Sequence, residues 1–527
     1  MIYLQDTKIR KGNTAMKRVF KFLTGRLFTI GVMILVQIAW IVLFLLDVSS
    51  RNQYFAAFFK VIAILLAFYV VTRWSNPSMK LSWVFFIMMV PIVGVPVYLI
   101  FGRPGLTRGT RRRMDAVNAQ IENYLSDDEE LTARLREQHP RAAMQSDYIR
   151  RAAHHPVYTH TDSRYYRCGE EMFEVMLEDI RRAEHYIFLE YFILDRGEMY
   201  DRLTAELIRK AESGVDVRLI YDDVGCMGKM PAHFYRRLQE HGIKCAAFNP
   251  ARPVLAIIMN HRDHRKILVV DGKVAYTGGI NIADEYINKI NRFGYWKDTG
   301  IRIEGAAVRN FIAMFLEMWD YIVGGMSDYE KLLQPVAENE LPESSGYVQP
   351  YGDTPLDNEN VGENVYLNMI SRAQKYVYIY TPYLILDQEM IVALCNAAMS
   401  GVDVRLVTPG IPDKKMVFLL TRSHYAPLLE KGVRIYEYTP GFLHAKCFVC
   451  DDEYATVGSI NLDYRSLYLH FECGVFLYQT PAVAQLRTDM EETFAVSREV
   501  TLADCQRKHP LGMSMLYALL RLLAPLL

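Results

Sequence analysis

His264-Arg265-Lys266 is followed by four residues and Asp271, and after six more by Gly278-Gly279-Ile280-Asn281. The same spacing returns as His444-Ala445-Lys446, Asp451 and Gly458-Ser459-Ile460-Asn461. Two histidines with two lysines suit phosphodiester chemistry. A neutral imidazole can attack phosphorus and hold it covalently. A second imidazole, protonated, can give a proton to the leaving alkoxide and later take one from an incoming alcohol. Lys266 and Lys446 can neutralise the non-bridging oxygens, to which Asn281 and Asn461 can donate hydrogen bonds. Gly279, and Ser459 at its place in the second copy, complete the expected phosphate-binding set, where the backbone must come close to an anion. No carboxylate cluster of metal-ligand type accompanies the motifs. The lysines therefore stand where a metal might, and neither metal nor cofactor is expected. One H-x-K alone is a chance event in a buried hairpin; two copies sharing His, Lys, Asp, Gly and Asn are not.

Strand periodicity must position these groups. Alternation puts His264, Lys266 and Leu268 on one face and Arg265, Ile267 and Val269 on the other. The apolar run 267–270 reads as a strand covered on both sides, Asp271-Gly272 as a turn, and 274–277 as the returning strand. The second copy matches with 447–450, a turn near Asp451-Asp452, and 454–457. Asp271 and Asp451 are counted with the catalytic set through their hydrogen bonds to the hairpins, an indirect part. Cys447 and Cys450 form a C-x-x-C, but on a strand they face opposite ways, so the eight cysteines read as free thiols. His261 reads as a local structural histidine.

The surroundings repeat as well. Gly-Val-Asp-Val-Arg-Leu occurs verbatim at 214–219 and 401–406, and Gly242-Ile243-Lys244 matches Gly432-Val433-Arg434. Helix 170–183, strand 185–190, a helix to about 213 and strand 214–220 parallel helix 365–373, strand 376–380, helix 388–400 and strand 401–407. The fold class is α/β: duplicated domains, each a mixed sheet flanked by helices, preceded by N-terminal transmembrane helices. The division is a membrane region 1–102, a charged helical connector 103–150, a first domain 151–334, a linker 335–346, a second domain 347–510 and a C-terminal apolar segment 511–527.

The membrane region holds three apolar runs, 27–46, 55–72 and 81–101, after a basic start with Lys8, Arg10, Lys11, Lys17, Arg18, Lys21 and Arg26. Pro91, Gly94 and Pro96 make the third run the candidate for a re-entrant or broken helix. The positive-inside bias places both the N-terminus and Arg103, Arg108 and Arg111–Arg113 in the cytoplasm, which requires an even number of full crossings. Arg111–Arg113 either attract anionic lipid or lie on a solvated helix. Segment 511–527 either lies on the membrane or packs on the body of the protein. The formal net charge is zero, so no global field points to nucleic acid.

The two motifs resemble the phospholipase D superfamily, and among its members the chain is most similar to bacterial cardiolipin synthases. The likeness runs from the second apolar run to the C-terminus. It includes Leu189-Glu190-Tyr191-Phe192, Asn461-Leu462-Asp463-Tyr464-Arg465-Ser466 and the closing Arg521-Leu522-Leu523-Ala524-Pro525-Leu526-Leu527. The resemblance implies a membrane-bound transphosphatidylase with phosphatidylglycerol and anionic lipid as partners. The catalytic region would be cytoplasmic, in a multi-pass bacterial membrane protein. It assigns His264 as nucleophile and His444 as acid/base. It also implies an acid downstream of each asparagine that orients an imidazole: Glu472 at the expected place, and Asp298 as substitute after a short insertion, where a plain surface aspartate is the alternative. Rivals are a phospholipase D, in which water replaces the second alcohol, another phosphatidyltransferase, a nuclease of the same superfamily and an inactive scaffold. Zero net charge and the apolar runs count against the nuclease, and two intact motifs against the scaffold.

Overall fold

The computed structural model describes residues 26–73, 76–102, 108–125, 127–251, 261–357, 359–505 and 511–526. The basic stretch up to residue 25 and Arg103 lie outside them. In the first half the strands are β1 (Thr161–Tyr166), β2 (Tyr186–Tyr191), β3 (Asp216–Asp222), β4 (Lys244–Phe248), β5 (Arg262–Asp263), β6 (Lys266–Val270), β7 (Val274–Gly278), β8 (Tyr295–Lys297) and β9 (Gly300–Gly305). In the second they are β10 (Tyr347–Asp353), β11 (Tyr376–Tyr380), β12 (Asp403–Pro409), β13 (Arg434–Tyr438), β14 (Gly441–Leu443), β15 (Cys447–Cys450), β16 (Tyr454–Gly458), β17 (His470–Tyr478) and β18 (Ser497–Val500).

The main sheets share one order. The first runs β1-β9-β7-β6-β2-β3-β4 and the second β10-β17-β16-β15-β11-β12-β13, with β18 added at its edge. In each sheet three strands are parallel and the rest antiparallel, so both are mixed. The verbatim repeat explains part of this likeness. Gly214 and Gly401 both take φ 95°, a conformation glycine adopts without strain, and each ends a helix and starts a central strand.

Three apolar layers result. Gly169–Arg182 and Glu198–Glu212 cover the outer face of the first sheet with Phe173, Leu177, Leu203 and Leu207. Val361–Arg372 and Gln388–Met399 cover the outer face of the second. The inner faces meet in a shared core with Val308–Val323 and Pro481–Ala495, where Ile267 and Phe311 belong to the same cluster as Cys447 and Val475. Cys447 points into this shared core and Cys450 into the outer one, as strand alternation requires.

At the N-terminal side, Arg26–Arg51 has its apolar stretch at Gly31–Phe44. Among the described residues, Gln53–Thr72 is the one helix long and apolar enough to cross a membrane. The third run is not continuous. Pro91 lacks the N–H that a helix needs, and the chain breaks at Val90 into Pro77–Met89 and Pro91–Phe101. Thirteen helical residues reach only about 20 Å, short of a hydrocarbon core of roughly 30 Å. The run that carries Pro91, Gly94 and Pro96 is thus two short helices, the broken form expected of it.

Arg108–Glu122 packs Met114, Val117 and Ile121 into the shared core and leaves Arg111–Arg113 exposed. The C-terminal helix Leu511–Leu523 packs on the body. Leu520 and Ala524 are buried with Ile385, Leu420 and Tyr464, and Ser82 donates to the carbonyl of Leu522. The N-terminal hairpin is tied to the body a second time. Asn76, which caps Pro77–Met89, donates to Asp387 (3.0 Å) and to the Tyr468 hydroxyl (2.8 Å).

Candidate active site

Both hairpins close through their aspartates. Asp271, at φ 52° in the turn between β6 and β7, accepts from the backbone N–H groups of Glu184 (2.7 Å), His185 and Tyr186 (2.8 Å each). Asp451, at φ 58°, does the same for Gln374 (2.7 Å), Lys375 (2.8 Å) and Tyr376 (3.0 Å). Each carboxylate thus fixes the hairpin to the start of the neighbouring central strand and lies at the far end of β6 or β15 from the histidine.

The histidines stand just ahead of their strands, not within them: β6 starts at Lys266 and β15 at Cys447. What holds them is the other half of the molecule. β5 pairs in parallel with β17, setting Arg262 opposite His470 and Asp263 opposite Phe471, and His264 N–H donates to the Phe471 carbonyl at 2.9 Å. β14 pairs in parallel with β8, setting Phe442 opposite Trp296 and Leu443 opposite Lys297, and His444 N–H donates to the Lys297 carbonyl at 2.7 Å. The next residue on each partner strand is the acid. Glu472 lies 2.8 and 3.0 Å from His264 Nδ1, and Asp298 lies 2.6 Å from His444 Nδ1. Asp298 is fully buried, which removes the surface-aspartate alternative.

An Nδ1–H donated to a carboxylate fixes the tautomer and leaves Nε2 with its lone pair. Burial drives the His264 imidazole down to about 3 and that of His444 down to about 4, so both are neutral at pH 7. Burial pushes the Glu472 carboxyl up, but His264 and Lys266 pull it further the other way and it rests well below the usual carboxylate range. Asp298 is likewise lowered, with His444 and Lys446 outweighing burial. Lys266 and Lys446 are buried behind the histidines, and each donates to the backbone carbonyl of its own motif's histidine. Desolvation brings them down to about 8 and about 7.

The remaining expected residues divide. Asn281 lines the cleft but is tied at both ends: its Oδ1 accepts from Ile193 N–H (3.0 Å) and its Nδ2 donates to Tyr286 OH (2.8 Å). Asn461 lines the cleft with its Oδ1 unpartnered among the described residues. Ser459 does not face a phosphate position; its hydroxyl donates to Glu472. Gly279 serves the other acid by its size, since a Cβ there would sit 2.0 Å from Asp298 Oδ1. The two equivalent positions therefore support the two carboxylates in different ways. Ser466, five residues after Asn461, also donates to Glu472. His470 and Trp296 were not read from the sequence; the signal was their place two residues before each acid, on the same strand face.

The histidines and asparagines open on one cleft of about 700 Å³. Its walls include Phe192, Tyr286, Trp296 and Tyr383, and one side is apolar, built from Ile385, Val417 and Leu420 with Leu520 and Ala524 of the C-terminal segment. The arrangement can bind a phosphodiester between two imidazoles and admit an apolar tail beside it. Ligand-type atoms of His264, His470 and Glu472 lie within 4.8 Å of one another. The Glu472 oxygens in that group already accept from His264, Ser459 and Ser466.

Comparison with known proteins agrees with this geometry. The family described as "Cardiolipin synthase, PLD-like domain" matches residues 176–319 and 366–494, and "Phospholipase_D-nuclease N-terminal" matches 61–103. A protein of Streptococcus mutans serotype c is 43% identical over 87% of this chain and 99% of its own length. A cardiolipin synthase of Geobacillus sp. (strain WCH70) is 35% identical over 88% of this chain and 92% of its own. The crystal structure of phosphatidylserine synthase from Haemophilus influenzae Rd KW20 superposes with a TM-score of 0.55 at 16% identity. It covers 73% of this chain and 99% of that one, a likeness of fold. Duplicated sheets, two H-x-K hairpins and relatives aligned along almost their whole length leave one assignment: the chain belongs to the cardiolipin synthase family of phospholipase D-like proteins.

Proposed function

We propose that the chain is a cardiolipin synthase that transfers a phosphatidyl group from one phosphatidylglycerol to a second, releasing glycerol. His264 Nε2 attacks phosphorus, the bond to the glycerol oxygen breaks, and His444 supplies the proton that glycerol leaves with. His444 then takes the proton from a hydroxyl of the second lipid, whose oxygen attacks phosphorus and releases His264. The entering phosphate anion raises the proton affinity of the imidazole that must act as acid. Lys266 and Lys446 neutralise the non-bridging oxygens, and Asn461 donates to them. Glu472 and Asp298 hold the tautomers, Ser459, Ser466 and Gly279 position those acids, and Asp271 and Asp451 hold the hairpins.

The observation that carries this reading is the crossed pair of acid–imidazole contacts, which leaves two Nε2 atoms on one cleft with an apolar wall. The protein works at a membrane, with 27–46 and 55–72 crossing it, the broken hairpin re-entrant and the catalytic region cytoplasmic. Lipid extraction from cells expressing the chain tests the function. New cardiolipin at the expense of phosphatidylglycerol is expected, with none from His264→Ala. Accumulation of phosphatidic acid alone would assign hydrolysis instead.

A further inference from the structure

The two half-sites share His, Lys, Asp and Asn, but their flanks differ. In the strand pairs that deliver the histidines, Phe442 and Trp296 hold the places that Arg262 and His470 hold on the other side. Beside His444 the flank is aromatic: Trp296 and Phe442 have ring centroids 4.7 Å apart, and lie 5.4 and 5.8 Å from the His444 ring. Beside His264 those two places are polar, held by Arg262 and His470, with Phe192 5.0 Å from the His264 ring. Counting four residues on from each asparagine gives a second difference of the same sense: Arg465 in one half-site, Glu285 in the other.

Arg262 is 3% exposed and lines the cleft. Its Nε donates to the His261 carbonyl (3.0 Å) and lies 3.1 Å from Asp222, and its Nη2 donates to the Asn249 carbonyl (2.9 Å). Its Nη1 is buried with no partner among the described residues. A guanidinium N–H left dry and unpaired is costly unless something else accepts from it. Arg465 lines the same cleft, with its Nε 3.4 Å from His470 Nε2. The two guanidiniums repel one another, and burial opposes the charge on each. An anion lying between them relieves both effects. Acids stand beside the cations of the cleft: Lys229 and Arg292 share Glu285, Lys414 has Asp413, Arg262 has Asp222 on its Nε side and Asp463 favours the charge on Arg465, which leaves Arg262 Nη1 as the buried donor to be satisfied.

The proposed reaction needs a place for a second phosphate. Cardiolipin carries two phosphodiesters joined by one glycerol, and only one of them sits at the histidines. Arg262 is two residues from His264 along the chain, roughly 7 Å at strand spacing, the scale of a glycerol bridge. We propose that Arg262 and Arg465 form a second phosphate subsite, which holds the resident phosphodiester of the acceptor lipid while its glycerol hydroxyl meets the reacting phosphorus. This rests on the cardiolipin synthase reading. In the step served, the acceptor O–H gives its proton to imidazole, its oxygen bonds to phosphorus, and the phosphorus–nitrogen bond breaks. Water and free glycerol reach the same phosphorus without using the subsite, so it selects a lipid acceptor over both.

The test uses the full chain in phosphatidylglycerol vesicles with labelled glycerol in the water. Two products then report two acceptors: cardiolipin for the acceptor with a phosphate, labelled phosphatidylglycerol for the acceptor without. Arg465→Gln should lower the ratio of cardiolipin to labelled phosphatidylglycerol by about 10-fold or more, the loss expected for a charge-assisted hydrogen bond. Arg465→Lys, which keeps the charge, should restore most of it. Arg262→Lys should lower the same ratio, because an ammonium beside Asp222 cannot also present a second nitrogen. An unchanged ratio in Arg465→Gln, whether both products persist or fall together, overturns the subsite and leaves the function standing. Wild type that labels phosphatidylglycerol yet makes no cardiolipin overturns the function and the subsite together.

Discussion

Asp298 Oδ2 lies 2.6 Å from His444 Nδ1, although 146 residues separate them and they belong to different halves of the chain. Glu472 reaches back to His264 in the same way. Each half carries a histidine it does not orient and an acid it does not use.

Residues 150–340 and 341–527, expressed apart, should therefore each be inactive; robust turnover by the first alone contradicts a single shared site. Within the full chain, Glu472→Gln and Asp298→Asn should each lower kcat by up to about 10⁴-fold, the scale known for a lost tautomer-fixing acid. Gly279→Ala should act like Asp298→Asn, since its methyl would stand 2.0 Å from Asp298 Oδ1. Steady-state kinetics on well-folded variants separate these effects from misfolding.

The covalent step separates the two histidines. With an activated phosphatidyl donor whose leaving group needs no proton, His444→Ala should still be labelled and should accumulate the adduct, whereas His264→Ala should not. With phosphatidylglycerol, His444→Ala should lose about 10²–10⁴-fold in turnover. Labelling that requires His444 instead of His264 reverses the two roles. No adduct in wild type under rapid quench favours direct transfer between lipids.

The buried lysines set an alkaline limit. Lys446 and Lys266, at about 7 and about 8, lose their protons in the free enzyme as pH rises past those values. kcat/KM should fall there, and the limb in kcat should lie higher because bound phosphate holds the protons on. Lys446→Arg, which stays charged, should abolish the lower part of that limb whatever its effect on rate. Stability has its own sign. Folded His264 and His444 bind fewer protons than the unfolded chain below about 6.5, so their contribution is complete above that pH and is lost as pH falls toward about 4 and about 3. Thermal melts across pH 4–8 read this directly.

Chelation should leave activity in place, because the lysines supply the positive charge and the Glu472 oxygens already have protein donors. Complete loss with EDTA, restored by a divalent ion, contradicts this. Partial stimulation by cations does not, since they also screen anionic lipid.

Cysteine accessibility at positions 10 and 110 should place both on the cytoplasmic side. Opposite sides would mean an odd number of crossings and overrule the charge bias.

Much of this arrangement was legible in the sequence. The paired H-x-K spacing, the Asp271 and Asp451 turns and the repeated Gly-Val-Asp-Val-Arg-Leu are local patterns, and local patterns survive folding. The crossing of the acids was not legible, because it depends on two short parallel pairings, β5 with β17 and β8 with β14, between segments far apart in the chain. Ser459 and Gly279 looked like phosphate ligands because the motif glycines usually serve anions; here the anions they serve are carboxylates of the protein itself. Pro91 announced the break in the third apolar run, but only the backbone shows that two short helices result.

Asn76 clamps the head of the broken hairpin to Asp387 and Tyr468, two residues from His470. A catalytic body pinned this close to its anchor cannot roll far from it. Its cleft then meets lipid by lateral diffusion in a plane, and its encounter rate is governed by surface density, not by bulk concentration. Dilution of the bilayer with an inert lipid should slow it, while dilution of the vesicles in buffer should not.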